Sequence, residues 1–447
     1  MWSGLYNALL IVAAVFAVPF YGARMLLTGK YRRSLGPKFG HLSWEIVSKL
    51  RDEGAPRIWV HAVSVGEVTA AAPIVTALRS RFPGACIVLS TSTETGQEMA
   101  RKLATDATVH IYYPLDIPCV VRKVIDLVRP DVFVPVETEL WPNFIRLCRA
   151  RGTRVVMANG RISPRSYRRY RATRFFWRGI LAALDEAGVI SQTDAERLAA
   201  LGMPSSRIQV LGNAKYDGLA ARVSPELERE IAGTLGIEPG EGILVAGSTH
   251  EGEESVILDV YRRLLEHRPE FKLILIPRHI ERGEAVAELV HRTGFSDAIR
   301  MSEIREGRSR NGERVVVVDV IGELFKVYSL ATVVFCGGSL VPKGGQNILE
   351  AAAWGKVVFH GPHMEDFRDE RLLLEEAGAG ITVRDGEELF MGIRALLDDP
   401  DLLLRKGEAG RRAVAANRGA AGRYAALIAD VLRRNQCDCA EKPSHRP

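Results

Sequence analysis

An alternation of strand and helix patterns that runs once, loosens and starts again constrains this chain more than any other feature. Short β-branched or aromatic runs at 58–63, 86–90, 110–113, 132–136 and 155–158 are separated by amphipathic stretches long enough for helices. Strands spaced by helices build a parallel sheet through crossovers. The pattern slackens over 212–239 and resumes at 243–247, 272–276, 315–318, 332–335 and 357–359. The fold class expected is α/β, with two Rossmann-like doubly wound domains facing one another across a cleft, because open α/β sheets bind ligands beyond the carboxyl ends of their strands. This reading sets boundaries at 1–29 for an N-terminal anchor, 30–217 for the first domain and 218–434 for the second. One long Ala- and Arg-rich helix over 402–434 closes the second domain, and a disordered tail, 435–447, follows. Composition supports sizeable cores: 47% of residues are hydrophobic and 26% charged, which excludes disorder and fibre. The six cysteines are too sparse and irregular for a disulfide framework or a zinc site, which favours a reducing, cytosolic setting.

No side chain over 1–23 is charged, and 8–20 is nearly continuous hydrocarbon. A spanning helix needs ~20 such residues, so the segment stands between a transmembrane anchor and a helix lying in the interface. A cleaved signal peptide or a buried core helix are the alternatives, but nothing basic precedes the run, as a signal peptide requires. Arg24, Lys30, Arg32 and Arg33 after the run place the next domain on the cytoplasmic side by the positive-inside rule.

The loops at strand ends carry the candidate chemistry. The first strand runs out at Ser64, Val65, Gly66 and Glu67, which puts a carboxylate at a strand-to-helix switch; an acidic first turn also simply complements the helix dipole. A second acidic loop, Glu137-Thr138-Glu139, follows another strand of the same sheet, so two carboxyl-bearing loops share one sheet edge. A carboxylate there can take the proton of a sugar hydroxyl as general base. Between Arg161 and Arg178 stand seven arginines and no acid, interleaved with Tyr167, Tyr170, Phe175, Phe176 and Trp177. Such a stretch suits an anionic, partly apolar partner, whether nucleic acid, an anionic membrane or a phosphorylated lipid. The apolar N-terminus favours lipid over nucleic acid. A solvated basic helix, the plain alternative, ordinarily carries compensating acids at helical spacing.

In the second half, Gly247-Ser248-Thr249-His250 follows one strand, and Gly337-Gly338-Ser339 with Gly344-Gly345-Gln346-Asn347 follows another ahead of a helix carrying Glu350. Glycines before a helix start expose backbone N–H groups to a phosphate, and Glu350 one turn in could reach a ribose diol. Arg278 and His279 at a strand exit could add positive charge. Neither glycine cluster is a Walker A loop or a G-x-G-x-x-G fingerprint. The single Asp-x-Asp, Asp399-Pro400-Asp401, reads as a helix start, so neither metal nor cofactor is expected.

Six motifs in order, VGE (65–67), ETELWPN (137–143), NGRIS (159–163), GSTH (247–250), PRH (277–279) and GGQNILE (344–350), resemble those of the 3-deoxy-D-manno-octulosonic acid (Kdo) transferases. The resemblance covers the chain to about Arg434. It implies an inverting GT-B glycosyltransferase at the cytoplasmic face of a bacterial inner membrane. The donor would be CMP-Kdo and the acceptor a lipid A precursor, a tetraacyl disaccharide bisphosphate. By motif, Glu67 would be the general base, and Glu139, Arg161, Ser163, Arg165 and Arg168 would form the acceptor side. Ser248, His250, Arg278, His279, Gly338, Ser339, Gly345, Asn347 and Glu350 would bind the donor, the last two at the CMP ribose. In GPHMEDF (361–367), Asp366 stands where the resemblance leads one to expect an amide. A GT-B-like nucleotide-sugar epimerase would share the sheets but has no use for the basic aromatic stretch. A non-enzymatic lipid or nucleic-acid binder would leave the carboxylate loops idle.

Overall fold

The computed structural model describes residues 4, 6–8, 10, 32–52, 54–238, 240–295, 298–310 and 312–440. The chain folds as two units, Met1–Gly218 with Arg418–Pro447, and Leu219–Asn417. The first holds strands β1 (Arg57–His61), β2 (Cys86–Thr91), β3 (Val109–Tyr112), β4 (Val132–Pro135), β5 (Arg154–Gly160), β6 (Glu186–Val189) and β7 (Ile208–Val210). The second holds β8 (Ile243–Thr249), β9 (Lys272–Pro277), β10 (Ala298–Arg300), β11 (Val315–Val317), β12 (Val333–Cys336), β13 (Val357–His360) and β14 (Gly380–Thr382). The sheet orders are β3-β2-β1-β4-β5-β6-β7 and β10-β11-β9-β8-β12-β13-β14. Every pairing is parallel, with Val60 level with Leu89 and Val134, and Val245 level with Ile274 and Val334. In the second sheet β10 lies outside β11 at the edge, and the strand order switches direction at the centre of each sheet, between β1 and β4 and between β8 and β12. The loops leaving those two strands diverge there and open a crevice.

Helices cover both faces of each sheet, so the central strands are apolar throughout rather than alternating; β2 and β8 are buried along their whole length. On one face of the first sheet, Val68, Ile74 and Val75 of the helix Val65–Arg81 pack with Tyr424 and Ile428 of the helix Ala420–Ala440. On the other, Trp59 and Phe133 meet Phe144 of the helix Pro142–Ala150. Trp59 and Phe144 stand edge to face at 4.9 Å. In the second unit, Tyr261 of the helix Glu253–His267 is buried with Leu273 and Phe335.

Three expectations for the chain's end are corrected. The single helix over 402–434 is two, Pro400–Ala416 and Ala420–Ala440, broken at Gly419, whose φ of +84° is a left-handed conformation. The second helix belongs to the first unit and not to the one that precedes it. Asp217 holds it there, its carboxylate accepting the N–H groups of Gly419 and Ala421 and so supplying partners that a helix start lacks. The helix also continues to Ala440, into the tail expected to be disordered; 441–447 lie outside the described residues. Asp399 does start a helix, accepting the N–H of Leu402 at 2.9 Å.

Most of the expected anchor, 1–29, also lies outside the described residues. Among the described residues, no helix is long and apolar enough to cross a membrane. Tyr6 and Asn7 are described: the Tyr6 hydroxyl donates to Asp116 Oδ2 at 2.9 Å, and Asn143 Nδ2 donates to Asn7 Oδ1 at 2.6 Å.

Candidate functional site

Glu67 lies in the first turn of the helix that follows β1, beside the reversal of the first sheet. Its Oε2 accepts the N–H of Val63 at 2.5 Å and its Oε1 the hydroxyl of Ser64 at 3.1 Å. The Val63 carbonyl in turn takes the N–H of Ser92 at 3.2 Å and the Thr93 hydroxyl at 3.3 Å, so the loop presenting the carboxylate is fixed from both sides. Burial pushes the Glu67 carboxyl up to about 7; Glu139 and Glu137 push the same way, against the bonds from Val63 and Ser64.

Those two carboxylates come from the loop after β4. Glu139 is raised by burial and by Glu137, while a 3.1 Å bond from Trp141 Nε1 opposes the rise. Thr138 donates to the Arg161 carbonyl at 2.5 Å, tying this loop to the one after β5. The two acidic loops expected at one sheet edge are therefore together and act on one another electrostatically. A carboxyl held near neutrality can accept a proton at physiological pH and still be regenerated, which is what a general base needs.

The arginine-rich stretch forms two helices, Pro164–Ala172 and Arg174–Leu181. Tyr167, Tyr170 and Trp177 turn inward against the core of the first unit. Arg165, Arg168, Arg169, Arg171, Arg174 and Arg178 are exposed, as is Phe175 at 58%. None of these six arginines forms an ion pair with a described acid. Phe176 lies 5.9 Å from the Tyr6 ring, so the head of the apolar N-terminal run meets this stretch. Ser163 caps the first of these helices, accepting the N–H of Ser166 at 3.1 Å.

In the second unit, Ser248, His250, Arg278, His279 and Gly338 gather where β8, β9 and β12 end. Ser248 takes a positive φ of +55°. The rings of His250 and His279 stand edge to face at 5.8 Å. Burial lowers the His250 pKa; Glu253 pulls it back, and His279, Lys343 and Arg278 depress it further. His250 Nε2 is buried without a hydrogen-bond partner among the described residues. Glu350 is the second residue of the short helix Leu349–Ala353, not one turn in. Burial raises its carboxyl while Arg222, Asn347 and Arg278 pull it down, and Asn347 Nδ2 lies 3.4 Å from its Oε1.

The glycine clusters need a correction. Their amides were expected to be open to a phosphate, yet Gly338, Ser339 and Leu340 all give their N–H groups to Glu253, at 2.7, 3.0 and 3.0 Å. Glu253 takes a fourth from His250 at 2.9 Å. The N–H of Gly345 is bound to the Gly338 carbonyl at 2.8 Å. The Ser339 hydroxyl is likewise occupied, donating to the Cys336 carbonyl and accepting from Gly361. Positive charge at this edge thus comes from side chains, Arg278 and Lys343, while the lowered pKa of His250 favours its neutral ring.

Sequence reasoning missed Glu253, although its place three residues after His250 has the spacing of a capping carboxylate. It also missed Lys215, whose Nζ lies 2.9 Å from Glu137 Oε1, and Asn159, which holds a positive φ of +52° and accepts the N–H of Ala214 at 2.9 Å. NGRIS is recognisable as a string, but nothing local says that its asparagine grips a segment 55 residues away.

A family model described as 3-deoxy-D-manno-octulosonic-acid transferase (kdotransferase) matches residues 33–218. The chain is 33% identical over 437 residues to the 3-deoxy-D-manno-octulosonic acid transferase of Haemophilus influenzae (strain ATCC 51907 / DSM 11121 / KW20 / Rd), covering 97% of this chain and 100% of that protein. It is 30% identical to the enzyme of the same name from Bordetella pertussis, covering 85% and 88%. Among solved structures, a putative UDP-N-acetylglucosamine 2-epimerase from Listeria monocytogenes superposes with a TM-score of 0.59 at 16% identity, over 88% of this chain and 100% of that one. A glycosyltransferase from Rickettsia africae ESF-5 gives 0.54 at 15%, over 87% and 99%. At such identities the superpositions speak to fold alone, that of two-domain GT-B proteins. The chain belongs to the 3-deoxy-D-manno-octulosonic acid transferase family and is a glycosyltransferase.

Proposed function

We propose that this enzyme transfers Kdo from CMP-Kdo to a lipid A precursor, with inversion, at the cytoplasmic face of the inner membrane. The observation that carries the reading is the Glu67 carboxyl, held near neutral pKa at the sheet reversal by burial and two neighbouring carboxylates. Glu67 takes the proton of the acceptor hydroxyl as that oxygen bonds to the anomeric carbon. The bond from that carbon to the CMP phosphate breaks, and CMP leaves as a phosphate monoester dianion. Arg278 and Lys343 supply the charge that stabilises this leaving group, with His250 and His279 beside them. Glu350 and Asn347 hold the CMP ribose. The family membership supports the sugar, and the acid-free arginine helices beside the head of the apolar run support an acceptor that is phosphorylated, acylated and membrane-bound.

On the acceptor side, Glu139, Arg161, Ser163, Arg165 and Arg168 line the approach, with the arginines meeting the acceptor phosphates and Phe175 the acyl or interfacial zone. Incubating purified enzyme with CMP-Kdo and a tetraacyl disaccharide bisphosphate should yield lipid heavier by whole Kdo residues, read by mass spectrometry. Epimerised soluble nucleotide sugar with unmodified lipid would overturn the proposal. Reversing Arg168, Arg169 and Arg171 to Glu should raise the apparent KM for lipid by about 100-fold or more at low salt, at ~1 kcal/mol per basic residue near an anionic surface, and leave CMP affinity unmoved. Unchanged lipid kinetics would remove the stretch from the acceptor side.

A further inference from the structure

We propose that Lys215 is a positioning residue for the reaction, one that neutralises Glu137 and thereby sets the charge against which Glu67 ionises. The inference rests on Glu67 being the base. Glu137 adopts a left-handed backbone, φ +60°, which a glutamate takes only when its surroundings impose it. Two bonds do so: its N–H donates to the Ala158 carbonyl at 2.9 Å, and its carboxylate receives Lys215 Nζ at 2.9 Å. The strained backbone thus keeps Glu137 beside Glu67 and Glu139, where it opposes the ionisation of both.

Lys215 is itself held in place. Ala214 donates to Asn159 Oδ1 at 2.9 Å, Lys215 N–H to Asn213 Oδ1 at 3.1 Å, and Asp217 binds the start of the helix Ala420–Ala440. Asn159 adopts a second left-handed backbone, at the end of β5. Two strained residues at neighbouring strand ends, Glu137 after β4 and Asn159 in β5, therefore grip adjacent residues of one segment. That segment runs on directly into the second unit, which begins at Leu219. The charged groups acting on Glu67 are Glu139 and Glu137 from the loop after β4. The loop after β2 contributes only the Ser92 N–H and the Thr93 hydroxyl, both spent on the Val63 carbonyl. Into this acidic group Lys215 brings a cation, bonded to Glu137. Two carboxylates crowding a third would push it too high to work near pH 7, and a lysine on one of them limits the push.

The test is the pH profile of kcat for Lys215→Met, Lys215→Arg and Glu137→Gln at saturating donor and acceptor. By leaving Glu137 without its cation, Lys215→Met should move the acid limb up by ~0.5–1 pH unit. Transfer at pH 6 then falls ~3- to 10-fold, while transfer at pH 9 stays within ~2-fold of wild type. Lys215→Arg should restore the limb, and Glu137→Gln should move it down. A uniform loss at all pH values, or a rise in KM with the limb unmoved, would overturn the proposal by making Lys215 structural or a substrate contact. Full activity in Glu67→Gln would instead overturn the reading of the base, a result these variants do not produce.

Discussion

Glu67 and Glu253 occupy equivalent places, each in the first turn of the helix that follows the strand beside its sheet's reversal, and they are used in opposite ways. Glu253 receives four backbone N–H groups, three of them from residues 85 to 87 positions away, and locks the loop after β12 to the loop after β8. Glu67 receives one N–H and one hydroxyl, and two further carboxylates crowd it. One carboxylate is spent on architecture, and the other is kept poorly satisfied and near neutral pKa. The position at a switch point brings a carboxylate to the crevice; the donors around it decide whether it can do chemistry.

The largest effect belongs to Glu67→Gln, which keeps the shape but cannot take a proton; transfer should fall ~10²- to 10⁴-fold with CMP affinity intact. Near-normal turnover in the purified variant would leave the contrast without its functional half. Glu253→Gln should be next, acting on stability: an amide offers one acceptor oxygen to four donors, and hydrogen bonds to a charged group are worth ~1.5–3 kcal/mol each. Loss of about 2–4 kcal/mol from the second unit, with weakened CMP binding, is expected in denaturant titration. An unaltered midpoint would show that the four N–H bonds matter little.

Glu350→Ala should weaken CMP binding by ~1.5–3 kcal/mol through the lost charged acceptor, as read by calorimetry, with lipid binding unchanged. The smallest effect is a gain. Glu67 has a folded-state pKa raised to about 7 from the ordinary 4.5. Its contribution to stability is therefore fully present below pH ~4.5 and is lost as pH rises through ~7. Glu67→Gln removes that loss, so the variant should be more stable than wild type by about 1–2 kcal/mol at pH 8, after discounting for partial solvent contact, and little different at pH 4.5. A destabilised variant at pH 8 would mean that Glu67, like Glu253, serves the fold.

Ten of the strands were legible because buried parallel strands are continuous apolar runs. The other four, β6, β7, β10 and β14, are short. β7, β10 and β14 are sheet edges of three residues each, and β6 contains Glu186 and Gly188. Edge strands need little hydrophobicity and so leave little trace. Glu67 and Glu139 were legible because their motifs lie at strand ends. The duty of Glu253 was not, since its partners arrive only when β12 lies beside β8. Nor was the return of the last helix to the first unit: its Ala-rich pattern fits any apolar face, and the choice is made by Asp217, 204 residues from Ala421.

Deprotonation of the acceptor by a carboxylate tuned close to neutrality is open to direct measurement. The most direct test pairs the pH dependence of kcat/KM for lipid with a residue-specific carboxyl titration of Glu67. An acid limb of unit slope is expected, with its midpoint near pH 7 and coinciding with the Glu67 titration. A limb in the ordinary carboxylate range near pH 4–5, or one that the Glu67 titration does not follow, would contradict it.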